Sequence, residues 1–234
     1  MMKIILFFLL IIIVSKSQNL YEPWNKSVAS VDSPLTLLWE PGQEIWIKFI
    51  GGSKEQRRKV ITICQEWTEY ANLKFVFVSS GYSHARIGFS QEDGHWSYIG
   101  RRSTLIDQNS RTMNIALNSH HPSTRWNRVV LHEFGHLLGL AHEHQNPCGN
   151  PIRFTSYRDV IEYYKKQQGW SEAKTRNNVY KKLRDASFCW PFDPKSIMLY
   201  NLCSSIRKDN TKIYNNVELS TNDKLFVRCI YPPN

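Results

Sequence analysis

The chain has 234 residues, 41% of them hydrophobic, and 30 lysines and arginines against 20 aspartates and glutamates give it a formal charge of +10. That length suits one domain with a core large enough to need no staples. No internal repeat, linker or low-complexity tract interrupts it. The basic balance suits polyanionic surroundings but equally a solvated surface, so charge alone assigns no partner.

The chain opens Met1-Met2-Lys3, followed by an apolar run from Ile4 to Val14 and then Ser15-Lys16-Ser17. The run is too short to span a bilayer, and the small residues after it form a cleavage point, so residues 1–17 read as a signal peptide cut after Ser17. A secreted, extracellular protein follows, with no membrane anchor after cleavage. Residues 18–37 are polar and without period, an N-terminal arm that carries the only N-x-[ST] sequon, Asn25-Lys26-Ser27. Five cysteines in a secreted chain suggest two disulfides and one thiol left over.

Residues 38–234 are expected to form the folded domain. Trp39-Glu40-Pro41-Gly42 signals a turn, and Glu44 to Ile50 alternates like a half-buried strand closed by Gly51-Gly52. Ser53 and Gln56 make a capping box, and Val60, Cys64, Trp67 and Ala71 recur at helical spacing behind it. Strand-like segments follow at Lys74–Val78, Ala85–Ser90 and Thr112–Leu117. Strand, helix and further strands suggest a βαβ unit within a mixed sheet. The last of these segments is the expected edge for an extended ligand to join.

Ser123-Thr124 precede a helix with an apolar stripe at Trp126, Val130, Phe134 and Leu137. A neighbouring face carries His132-Glu133-Phe134-Gly135-His136. His132 and His136 lie one turn apart, so both can reach a single ion. Gly139 can take the left-handed conformation that ends a helix and turns the chain back, bringing in His142 as a third ligand. Three neutral imidazoles leave a tetrahedral zinc ion with an open position, the mark of a catalytic site holding one ion. Glu133 stands beside the metal, placed to take a proton from water. His144 invites a reading as an extra ligand, but three histidines and water already complete the site. His84, His95, His120 and His121 are expected in loops or at the surface.

Beyond His142, Pro147, Cys148, Gly149 and Pro151 mark an irregular segment. Helices are expected from Ser156 to Gln168, stopping at Gly169, and from Ser171 to about Arg184. Pro191 and Pro194 then force turns before Ser196-Ile197-Met198-Leu199-Tyr200.

The pattern His-Glu-x-x-His-x-x-Gly-x-x-His with a later methionine turn resembles the metzincin zinc peptidases. Glu143 after the third histidine, the S-x-M-x-Y form of Ser196–Tyr200, and Gly94-His95-Trp96-Ser97-Tyr98-Ile99-Gly100-Arg101 resemble the astacin branch. The likeness covers most of residues 38–232, including the W-x-P-G opening and Leu219-Ser220…Asp223. It implies an α+β metzincin fold: a mixed twisted sheet plus helices in an N-terminal lobe, an irregular C-terminal lobe, and an active-site cleft between. It implies a secreted zinc endopeptidase acting on protein or peptide substrates; a monomer with no nucleic-acid partner is expected. Tyr200 would be a fifth zinc ligand at rest and then a hydrogen-bond donor to the oxyanion, with Met198 the apolar floor. Cys64 and Cys229 match an astacin disulfide. His95 stands where astacins have cysteine, and His144-Gln145-Asn146-Pro147-Cys148 replaces their arginine and aspartate positions. The arm from Gln18 is expected to be too short for a long inhibitory prodomain. Asp32 does not match the surroundings of the aspartate that covers zinc in astacin zymogens, and the partner of Glu143, which astacins pair with the mature N-terminus, is left open. The rival reading is a secreted zinc-containing binding or toxin-like module whose basic surface is the working part.

Overall fold

The computed structural model describes residues 37–181 and 190–233. The expected signal peptide, nearly all of the N-terminal arm, Asn25, Asp32 and Cys189 lie outside the described residues.

Strand β1 (Glu44–Phe49) buries Ile45 and Ile47 and exposes Glu44 and Trp46, the period of two that its sequence implies. The capping box forms as expected: Gln56 N–H donates to Ser53 Oγ at 3.2 Å and Ser53 N–H to Gln56 Oε1 at 2.7 Å. Helix α1 (Lys54–Thr68) starts there and turns Val60, Cys64 and Trp67 inward. Next come β2 (Lys74–Val78), β3 (Ala85–Gly88), the two-residue β4 (Trp96–Ser97), a 3-10 turn at Gly100–Leu105 and β5 (Met113–Asn114).

The sheet order is β2-β1-β3-β5-β4, with β1 parallel to β2 and β3, and β3 parallel to β5. Only β4 runs antiparallel, pairing Trp96 with Asn114 and Ser97 with Met113. Of the Thr112–Leu117 segment only Met113–Asn114 forms a strand, and it is interior, contrary to expectation; the edge is the segment around Trp96-Ser97. Past the end of β4, His95 continues the cover, accepting from Ala116 N–H at 3.1 Å.

Helix α2 (Ser123–Leu137) packs on α1 and the sheet, and Trp126, Val130, Phe134 and Leu137 all enter the main core with Ile45, Ile47, Trp67 and Ile87. Fully burying each such side chain contributes roughly 1.5–3 kcal/mol. The C-terminal part is irregular apart from α3 (Tyr157–Gln168), α4 (Glu172–Thr175) and α5 (Thr221–Ile230). Helix α3 has its own capping box and ends at Gly169 with φ +65°. Helix α4 gives way at Thr175, where hydrogen bonding widens into a π turn at Arg176–Tyr180, and the expected end near Arg184 lies outside the described residues. Helix α5 begins with a Ser220–Asp223 capping box, a signal that was present in the sequence. A second core gathers Ile152, Val160, Tyr164, Val179, Leu199, Leu202 and Ile206. Among the described residues no helix is long and apolar enough to cross a membrane.

The cysteine expectation is corrected. Cys64, Cys203 and Cys229 are free thiols, so the structure does not hold the two bridges, and Cys64 is not joined to Cys229. Cys64 is buried in the main core with its Sγ on its own helix, 3.4 Å from Ile61 O, whereas Cys229 sits half-exposed on α5. Cys148 is disulfide-bonded.

Candidate metal centre

Helix α2 ends in a two-bond motif that aims the chain back at its own last turn. Gly139 N–H donates to His136 O at 2.8 Å and Leu140 N–H to Gly135 O at 3.0 Å. Gly139 takes φ +93°, and a Cβ there would lie 2.7 Å from Leu38 Cδ2, so conformation and space both require glycine. The reversal brings His142 beside His132 and His136, with one nitrogen from each ring within 4.8 Å of the others.

Hydrogen bonds decide which nitrogens those are. His132 Nδ1 lies 2.8 Å from Ile197 O, His136 Nδ1 2.8 Å from Leu140 O, and His142 Nδ1 3.2 Å from Gln145 Oε1. These oxygens can only accept, so each Nδ1 carries the proton and each Nε2 offers a bare lone pair. His136 Nε2 and His142 Nε2 are 3.1 Å apart, and two lone pairs at that distance cannot bond one another. Burial first, then neighbouring histidines, hold His132 and His142 well below the ordinary imidazole range, and burial brings His136 to about 4. Three neutral, convergent imidazoles with braced outer nitrogens are a donor set that fits zinc.

Glu133 is 5% exposed, and its Oε2 is buried without a hydrogen-bond partner. Burial pushes its carboxyl up to about 8. The Tyr200 ring lies 4.0 Å from that of His142 and 5.7 Å from that of His132, centroid to centroid. Burial first and then the Glu133 charge raise its phenol, so Tyr200 stays a donor across the neutral range. Met198 is buried beneath Gly135, where any Cβ would strike its Sδ.

The turn holding Met198 is braced from α5. The Asp223 carboxylate accepts from Ser196 Oγ–H at 2.7 Å, Ile197 N–H at 2.8 Å and Ser220 N–H at 2.9 Å. Since Ile197 O in turn accepts from His132, the cap of α5 reaches the first ligand through two bonds. Glu143 lies next to this turn: its N–H donates to Met198 O at 3.0 Å, and its Oε1 accepts from Asn146 Nδ2 at 2.9 Å and from Asp193 N–H at 3.0 Å. Burial raises its carboxyl to about 7.

His144 stays outside the ligand set. Its Nε2–H donates to Asn178 O at 2.8 Å, and its ring stacks on His142 at 5.2 Å. His84 accepts from Trp46 N–H at 2.8 Å, so it and His95 serve the sheet. Sequence reasoning named Gly135, Gln145 and Asp223 only as parts of a pattern and gave none of them a part in the site. Only Asp223 left a local mark, the Ser-x-x-Asp box.

The family model for Astacin, a peptidase family, matches residues 33–225. A solved structure of myroilysin is similar at TM-score 0.80 and 35% identity, covering 85% of this chain and 97% of that one. High choriolytic enzyme 1, a hatching enzyme zinc-protease from the medaka fish Oryzias latipes, shares the fold at TM-score 0.57 and 16% identity, covering 85% of this chain and 96% of that one. Zinc metalloproteinase nas-27 of Caenorhabditis elegans is 28% identical over 88 residues, 38% of this chain and 18% of that protein's length. The matched span and the convergent histidines agree, and the chain belongs to the astacin family of zinc metallopeptidases.

Proposed function

We propose that this chain is a secreted, zinc-dependent endopeptidase that hydrolyses peptide bonds with Glu133 as general base. The observation that carries this is the convergence of three bare imidazole Nε2 atoms beside the helix turn that also carries the orphaned, buried Oε2 of Glu133. A binding module has no use for that carboxylate.

His132, His136 and His142 would hold the ion. Zinc bound there supplies Lewis acidity, lowers the pKa of the attacking water and favours the ionised form of Glu133. Glu133 takes the water's proton and later passes it to the leaving amine. The Tyr200 phenol donates to the oxyanion as charge develops on the carbonyl oxygen. Met198 keeps the floor dry and excludes water from beneath the histidines. An extended peptide would add to the free side of β4, using backbone hydrogen bonds at Trp96-Ser97. The leader read over residues 1–17 supports secretion, and N-terminal sequencing of the exported protein is expected to begin at Gln18.

The decisive test is hydrolysis of a denatured protein by wild type and Glu133→Gln. Wild type should lose activity to a chelator and regain it with zinc. Glu133→Gln should retain one zinc and lose nearly all hydrolysis. Full activity in the variant would overturn the mechanism, and chelator-resistant activity in wild type would overturn the metal's part in it.

A further inference from the structure

The third ligand differs from the other two in what orients it. His132 and His136 lean on backbone carbonyls, whereas His142 leans on a side-chain amide, Gln145. An amide can present either end to an imidazole, so the tautomer of His142 depends on how Gln145 is held. Gln145 Nε2 lies 2.7 Å from Asn177 O and 2.8 Å from Lys181 O. Both are carbonyls, so the NH2 faces them and the amide oxygen faces His142. His142 Nδ1 must then carry the proton, which frees Nε2 for the ion.

Asn177 O is available through the backbone geometry of Arg176–Tyr180. In an α-helix it would accept from Lys181 N–H. The turn is π instead, and Lys181 N–H reaches Arg176 O at 2.8 Å. Asn178 O takes His144 Nε2–H, which sets the ring that stacks on His142. Single π turns recur at functional sites.

We infer that Gln145, held by the Arg176–Tyr180 π turn, is the positioning residue for His142, so that the segment departing from the astacin pattern tunes metal affinity. This rests on the three histidines being a zinc site. Gln145→Leu removes the acceptor and both amide donors, whereas Gln145→Glu keeps an acceptor for His142, exchanges the donors for a second acceptor and adds a negative charge. Zinc affinity, measured by chelator competition on the exported protein, is expected to fall about 10–100-fold in Gln145→Leu. Gln145→Glu is expected to bind zinc about tenfold more tightly than Gln145→Leu. Equal loss in the two variants would show a purely structural amide and overturn the proposal, as would wild-type affinity in Gln145→Leu. A readout on wild type needs no variant to fold: nitrogen-15 spectra of the zinc-loaded protein should show His142 Nδ1 protonated, and an unprotonated Nδ1 overturns the proposal. His132→Ala is the control for the ligand set. If wild type binds no zinc, the metal reading itself falls and this proposal with it.

Discussion

Glu133 shows how one buried residue couples pH to stability. With no charge partner, its carboxyl is raised from 4.5 to about 8 by burial alone. A folded-state pKa above the unfolded value means that the folded chain holds the proton more tightly. The contribution to stability is therefore complete below about 4.5 and is lost as pH rises toward 8. The buried histidines act in the opposite sense, since depressed folded values penalise folding at acid pH. Their effect is over by the ordinary imidazole range near 6.5. In metal-free protein, Glu133→Gln should thus gain thermal stability relative to wild type from pH 5 to 8. Parallel melting curves at each pH check this, and a constant difference between the two proteins would contradict it.

Among the elements, α2 carries most of the site, and its demands fall on residues of two kinds. The histidine spacing and the Gly139 turn are local, so one stretch of sequence displays them. Gly135 is different, because only the fold reveals that Met198 and Trp67 lie against it. Gly135→Ala is expected to cost roughly 1–3 kcal/mol through overpacking. Combined with Met198→Ala it should cost less than the sum of the two changes, and a double-mutant cycle by urea unfolding measures that coupling. The same division explains what else was legible. Strand β1, the α1 capping box, the start of α3 at Ser156 and the Gly169 stop are set by neighbours in sequence. The edge position of β4 is set by sheet order, and two residues show no alternation to read. Gln145 and Asp223 matter through partners more than twenty residues away, on the π turn and the Met198 turn. Five cysteines fixed a count but no geometry, and the bridge taken from family likeness is absent.

At the scale of the molecule, two cores meet across one peptide bond: Met198 belongs to the main core and Leu199 to the C-terminal one. The carbonyls at the end of α2 are likewise held from far away. Trp39 Nε1–H donates to Leu137 O at 2.7 Å, and Tyr231 O–H to Leu138 O at 2.6 Å, while Trp39 N–H donates to the same phenol at 3.3 Å. Tyr231→Phe would strand a buried carbonyl and a backbone donor. It is expected to cost about 1–3 kcal/mol, measured as a lowered urea midpoint at unchanged slope. The bracing of the Met198 turn by Asp223 has a further consequence for the order of synthesis. Helix α2 leaves the ribosome long before α5, so His132, Glu133 and His136 emerge while Asp223 and Tyr231 are still untranslated. The carbonyl that aims His132 then has no clamp, and the end of α2 lacks one of its two caps. The aim of His132 and the second cap of α2 are therefore set only once the last helix has docked.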